Sequence, residues 1–574
     1  MTVDLRRPLD EAARDGPDQP HHRVSATSVG IRRVVAVLAV LGPVGWALAR
    51  STPPDQAIVN PGGLPLLGNL LGAALHPATS PDFLNIVLHA SLVTVMYAAL
   101  GTGGALAIGA MGALVLSDAA WRRRPGPVVG AVRFLLRALL VATRSIHELI
   151  WALLFVSVLG LDPLVAVLAI AIPFGAQTAN VFAQILDGVS PHPLAAMRAG
   201  GARSLPALAY GLLPPAVPLL LSYSFYRFEC AIRSSVVLGV VGVGGLGEEL
   251  VVSLRSRSWD EVWTLVGAVL LLSAVVDVWS SRVRTDLAVM TCSDWSGGTT
   301  LSRRANHSRW ARWSAVLAVC GVVVACFASG VSWSGLTSPR TRQLTERLFD
   351  DMFPPALPPG GWSELVGATL DTVAMAVLAM ALAVVITLVV GPFATRMRPT
   401  ASGTSAPPWW RAPRLAGQFA ARALLLVLRS VPPTVWAVIA LLAMFPGILP
   451  GAIALGLYTA GILGRLVAEA WESVDTRPRD ALRATGVRPA TASLAAVLPP
   501  SSHHLLAYTL YRFEICVRDT AVVGVVGAAG LGRLFAENLA VFRFPVVTTL
   551  LAASFAVSVA TELLSRQVRR AVNA

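Results

Sequence analysis

The chain contains no lysine; all 46 of its basic residues are arginine. A P-loop needs its lysine on the nucleotide phosphates, so this chain is not itself a P-loop ATPase. Charge of either sign is scarce, at 14% of 574 residues, where soluble domains carry roughly 25%. Hydrophobic residues make up 55% and mean hydropathy is +0.65, which leaves no room for a large soluble domain. The five cysteines, Cys230, Cys292, Cys320, Cys326 and Cys516, show neither metal-ligand nor disulfide spacing, so no zinc, redox or cofactor site is expected. The net charge of +14 reads as arginines gathered on cytoplasmic loops by the positive-inside rule, not as a nucleic-acid surface.

What fills the chain is apolar runs of about 20 residues, the length that spans a bilayer. Residues 1–30 are polar and mixed in charge and read as a disordered cytoplasmic tail. Arg32-Arg33 precede an apolar run, 34–49, taken as a retained first helix and not a cleaved signal. Further spans are expected near 84–115, 146–160, 162–186, 216–240 and 262–280, then 313–331, 365–393, 431–446, 448–469, 501–525 and 544–562. That is six per half, with both termini on the cytoplasmic side. Segments 127–143 and 411–427, arginines among leucines and valines, read as interfacial helices. The resulting division is a first module over 31–281, a cytoplasmic linker over 282–312 with Ser-Gly-Gly, and a second module over 313–574. Arginine-rich segments at 121–144, 196–204, 396–422, 477–488 and 566–570 fall on one side, and the arginine-free 51–82 loop on the other.

The halves are copies. Tyr226-Arg227-Phe228-Glu229, then Arg233, returns 285 residues later as Tyr511-Arg512-Phe513-Glu514, then Arg518, and 13 of 22 positions agree between 226–247 and 511–532. Both copies place charge inside an apolar segment, which costs several kcal/mol at bilayer depth and is rare without a role. In a helix, Tyr226, Glu229 and Arg233 share one face, as do Tyr511, Glu514 and Arg518, with Arg227 and Arg512 beside them. If these faces line the gap between the halves, four arginines and two tyrosines surround a polar path suited to an oxyanion. The bland alternative is a pair of Glu–Arg clips that lock helices and touch no substrate. Upstream, Ser91-Leu92-x-Thr94-Val95 aligns with Thr369-Leu370-x-Thr372-Val373. Gly242-x-Gly244-x-x-Gly247 matches a dinucleotide fingerprint but follows a span, not a strand, and reads as close helix approach or backbone bending. His503-His504 and Glu148 lack partners at ligand spacing and read as surface or packing residues.

A short segment before the fifth span of each half carries a second duplicated pattern. One copy is Ala195-Ala196-Met197-Arg198-Ala199-Gly200-Gly201, continuing to Leu213-Pro214. The other is Asp480-Ala481-Leu482-Arg483-Ala484-Thr485-Gly486, continuing to Leu498-Pro499. This resembles the EAA loop of ABC-importer permeases, with its acid position, small residues, glycine six positions on and Leu-Pro beyond. The first copy has Ala195 where the acid belongs, so the carry-over is stronger for the second. Arg144-Ser145-x5-Trp151-Ala152, Arg429-Ser430-x5-Trp436-Ala437 and the duplicated Gly-x-x-Gly-x-x-Gly-Leu-Gly narrow the resemblance to phosphonate/phosphite-type permeases.

That resemblance implies an all-α polytopic membrane protein of two tandem MetI-like permease modules, about six transmembrane helices each. It implies residence in the bacterial plasma (inner) membrane, contact with lipid, separate ABC ATPase subunits docking at Ala195, Ala196, Arg198, Gly201, Asp480, Ala481, Arg483 and Gly486, and an extracytoplasmic substrate-binding protein. The expected cargo is phosphonate, phosphite or phosphate. The runners-up are a permease for another small solute, such as an amino acid or quaternary amine, an ion-coupled secondary transporter, and a membrane scaffold. A cationic cargo would favour aromatic cages over arginine pairs, and secondary transporters normally show inverted repeats, whereas these are parallel.

Overall fold

Where no water can reach the backbone, a spanning segment satisfies its N–H and C=O groups only as a helix. The computed structural model describes residues 41–52, 57–121, 126–292, 301–396 and 408–573. Among these there is no strand, only the isolated bridge Val59–Met444. Residues 41–46, the described part of one unit, are helix, and Ala47 onward forms another unit. The expected tail and residues 31–40 lie outside the described residues.

The first repeat comprises α1 (Pro81–Leu116), α2 (Pro127–Ser145), α3 (Glu148–Leu159), α4 (Pro163–Gly188), α5 (His192–Ala199), α6 (Leu213–Leu238), α7 (Leu246–Ser256) and α8 (Trp259–Cys292). After α9 (Leu301–Ala328) and α10 (Pro339–Met352) the pattern returns. The second set is α11 (Gly361–Ala394), α12 (Pro408–Ser430), α13 (Pro433–Ala443), α14 (Ile448–Ser473), α15 (Arg477–Ala484), α16 (Pro489–Val525), α17 (Leu531–Ala540) and α18 (Phe544–Asn573). Two ends of the expected linker are helix, since α8 runs on to Cys292 and α9 starts at Leu301; residues 293–300 lie outside the described set.

Among the described residues, eight helices are long and apolar enough to cross a membrane, or ten if each of two bent pairs is one span. The α16 helix has the length but is more polar, carrying His503, His504, Arg512, Glu514, Arg518 and Asp519. The expected spans 146–160 and 431–446 become α3 and α13, of 12 and 11 residues. At 1.5 Å per residue each is about 18 Å long or less, too short for a hydrocarbon core of about 30 Å. They meet the helices before them, the expected interfacial segments, at 93° and 91°. The first bend follows from extended Ile146 and His147, whose Nδ1 accepts from the Leu149 N–H at 3.1 Å and caps α3. In the second, Pro432 forces the break and Pro433 opens α13.

Each bent-off helix packs into the core of the other repeat. Ile150 and Leu154 of α3 join Leu531, Leu534, Phe535, Val547 and Leu550. Reciprocally, Val431 and Val435 join Leu246, Leu250, Val262, Leu265 and Val266. Ile150 and Val435, Leu246 and Leu531, Leu250 and Phe535, Val262 and Val547, and Leu265 and Leu550 are each related by the 285-residue offset, so the two repeats are exchanged about a pseudo-twofold axis. Outward, Phe327 is 87% exposed and Val389 62%, apolar surface that suits lipid and not water.

The glycine motif is a turn. Gly245 and Gly530 sit at φ +82° and +99°, where an L side chain is strained. A methyl there would also lie 2.7 Å from the hydroxyl oxygens of Thr94 and Thr372. Those hydroxyls accept from the Leu246 and Leu531 N–H groups, both at 2.9 Å, and donate to the Ala90 and Ala368 carbonyls. The threonine shared by the two upstream alignments therefore holds the first turn of α7 and α17. A helix precedes the motif in both copies, which removes the dinucleotide reading.

Candidate functional site

The 3.6-residue period of α6 and α16 turns their duplicated charged faces toward each other, and between them lies a cavity of about 520 Å³. Of the residues named from sequence, Tyr226, Arg227, Glu229, Arg233, Tyr511, Arg512 and Arg518 line it; Glu514 does not. Eight arginines and four carboxylates border the space, and such an excess of one sign between low-dielectric walls draws in the opposite charge.

The two glutamates engage the arginines one turn on, Glu229 Oε1 with Arg233 Nη2 at 3.4 Å and Glu514 Oε1 with Arg518 Nη2 at 3.4 Å. Arg518 also donates to the Arg144 carbonyl at 2.7 Å, and Glu229 faces Arg284 at 3.4 Å and Arg429 at 3.5 Å. Their neighbours Arg227 and Arg512 differ. Arg227 is 4% exposed, and among the described residues it has no ion pair within 4 Å. Its guanidinium lies 4.0 Å from the Phe174 ring centroid, and its Nη2 donates to Gln177 Oε1 at 2.7 Å. Arg512 is 6% exposed; its nearest carboxylate is Asp519 at 3.9 Å, and its Nε and Nη2 are buried without a hydrogen-bond partner.

Around this space the repeats are latched by ion pairs that the sequence reading missed. Arg144 Nη2 donates to both Glu562 oxygens at 2.8 Å, and the offset-related Arg429 donates to Asp277 at 2.9 Å. Asp277 also takes Arg465, and Glu562 also takes Arg566. A signal existed: Asp277 and Glu562 stand 285 residues apart, each an acid within an expected span. Gln177 left no such trace, because Ile462 occupies its repeat position. Glu148 requires correction. Expected only as a surface or packing residue, it accepts from Ser234 Oγ at 2.6 Å, lies 3.4 Å from His147 Nε2 and lines the cavity. His503 and His504 are exposed, with ring centroids 3.9 Å apart, and do not border the cavity.

The duplicated elbows lie at the surface. Ala195, Ala196, Gly201, Ala481 and Gly486 are exposed, and Arg198 and Arg483 half-buried. Gly201 and Gly486 turn the chain at φ +82° and +86°. Arg198 donates to the Ala119 carbonyl at 3.0 Å, and Asp480 pairs with Arg479 at 3.0 Å. Leu205 and Tyr210 nearby are 80% and 75% exposed.

A family model described as a binding-protein-dependent transport system inner membrane component matches residues 127–287 and again 409–573. The chain is 30% identical over 477 residues to the phosphate-import permease protein PhnE of Mycolicibacterium smegmatis, covering 83% of this chain and 84% of that protein. It is 33% identical to the phosphite transport system permease protein PtxC of Stutzerimonas stutzeri, over 39% of this chain and 78% of PtxC. A solved structure of the MetNI methionine ABC transporter in inward-facing conformations is 22% identical, covering 38% of this chain and 99% of that one at a TM-score of 0.33.

Proposed function

The chain belongs to the binding-protein-dependent transport system inner membrane components, and from that membership we propose that it is the translocation subunit of an ABC importer for phosphonate, phosphite or phosphate. The observation that carries the cargo class is the pair of buried, repeat-related arginines, Arg227 and Arg512, that face one cavity with no carboxylate nearer than 3.9 Å among the described residues. A buried charge of that kind is stabilised by an incoming oxyanion, whose oxygens match the guanidinium fork. Tyr226 and Tyr511 offer hydroxyls to the same space. The Glu229–Arg233 and Glu514–Arg518 pairs hold the helix faces and keep the field from retaining the anion.

The chain does no covalent chemistry in this reading. Separate ATPase subunits hydrolyse ATP and dock on the exposed elbows at Ala195–Gly201 and Asp480–Gly486, where small side chains let a partner approach. A binding protein delivers cargo on the opposite side. Both termini are cytoplasmic, residues 31–281 and 313–574 are the two modules, and their rocking about the cavity alternates access. The test is uptake of phosphonate, phosphite and phosphate as sole phosphorus source, with Arg227→Ala and Arg512→Ala. Each variant is expected to insert normally and to lose about 10- to 100-fold in uptake efficiency, the range for a lost hydrogen bond to a charged group. Normal uptake in both would leave these arginines as structural groups only.

A further inference from the structure

Helix α4 places two side chains one turn apart against the Arg227 guanidinium, Phe174 beneath its face and Gln177 at its Nη2. An arginine only donates, so the Gln177 atom that meets it must be the amide oxygen. The Gln177 –NH2 is then left over as a donor, with no hydrogen bond among the described residues, on a side chain that lines the cavity. The second repeat has Thr459 and Ile462 at these positions, which supply neither a ring nor an amide. It also has Asp519 where the first repeat has neutral Ser234, so among the described residues the one carboxylate within 4 Å of either arginine stands beside Arg512. Arg512 has the larger number of unsatisfied donors, two against one, but among the described residues no ring stacks on it and no side chain accepts from it within hydrogen-bond distance.

We infer that the oxyanion is held off-centre, on a pre-organised subsite made by Arg227 and Gln177, and that Gln177 is a specificity-determining donor, while Arg512 supplies an unanchored charge from the opposite wall. This rests on the reading of the chain as an oxyanion permease. Pre-organised donors bind with less ordering cost than mobile ones, and a rigid fork is not replaceable by a point charge. Arg227→Lys and Gln177→Ile should therefore raise KM for uptake, whereas Arg512→Lys should be tolerated.

The experiment replaces the chromosomal gene in the native host and measures KM and Vmax for radiolabelled phosphate, phosphite and methylphosphonate. Arg227→Lys and Gln177→Ile are expected to raise KM about tenfold and to change the preference among the three anions, and Arg512→Lys to raise it less than about threefold. Ile462→Gln, which removes no contact of the first subsite, is expected to lower KM or leave it unchanged. The inference is overturned if Arg512→Lys is as costly as Arg227→Lys, or if Gln177→Ile lowers Vmax alone with KM and preference intact, the signature of a merely structural residue. Failure of the unmodified chain to take up any of the three anions would sink the oxyanion reading itself, together with this inference.

Discussion

The two repeats share the elements that hold the molecule together, and several of the places where they depart from each other face the cavity. The bent-off helices and the Arg144–Glu562 and Arg429–Asp277 latches recur at an offset of 285 residues, and the threonine–glycine turns recur with their threonines 278 apart. Gln177 against Ile462, Ser234 against Asp519 and His147-Glu148 against Pro432-Pro433 break it, and in each pair at least one member lines the cavity. Duplication preserved the scaffold because each half must complete the other's core. The walls of the path keep the duplicated tyrosines and arginines of α6 and α16 and diverged around them.

The latches give the sharpest way to break that comparison. Asp277 engages two arginines of the opposite repeat, Arg429 and Arg465, whereas Glu562 engages only one, Arg144, its other partner Arg566 being half exposed and one turn away. Asp277→Asn should therefore be the more damaging, by about 3–5 kcal/mol, because it strands two guanidiniums that are largely shielded from water. Glu562→Gln should cost less. Thermal unfolding midpoints of the purified protein in detergent test the ranking, and the reverse order would mean that the two seams between the repeats do unequal work for another reason.

The glycine turns should instead behave alike. Gly245→Ala and Gly530→Ala each force a side chain into the left-handed region and against a threonine hydroxyl, at a cost of about 1–3 kcal/mol. Equal shifts in unfolding midpoint are expected. A harmless substitution at one position alone would show that the pseudo-symmetry stops short of α7 and α17.

The smallest effect is expected from Asp519→Ser, which gives the second wall the first wall's residue. Removing a carboxylate 3.9 Å from Arg512 should lower the KM for phosphate uptake by no more than about fivefold, the value of a weak ion pair. An increase in KM would assign Asp519 to cargo binding and not to charge balance.

Much of the site was legible in the residues. Tyr226, Arg227, Arg233 and their copies were visible because a charge in an apolar run is anomalous, and a repeated anomaly more so. The arginine clips and the exposed elbows followed from spacing along single helices. The 90° bends were not legible, because a 12-residue apolar run reads the same whether it finishes a span or turns across one. Nor was the loop-like linker safe to assume from composition, since polar residues at the ends of α8 and α9 extend helices already nucleated in the apolar segments.

From its amino acids alone, this protein's helical class, its duplication and the charged faces within its apolar segments were determined, since these depend on local periodicity and on the cost of charge in hydrocarbon. Which arginine keeps a free edge, and which is latched to Asp277 or Glu562, was decided only in three dimensions. Such pairings join helices hundreds of residues apart, and their geometry exists only once each repeat has inserted its bent-off helix into the other.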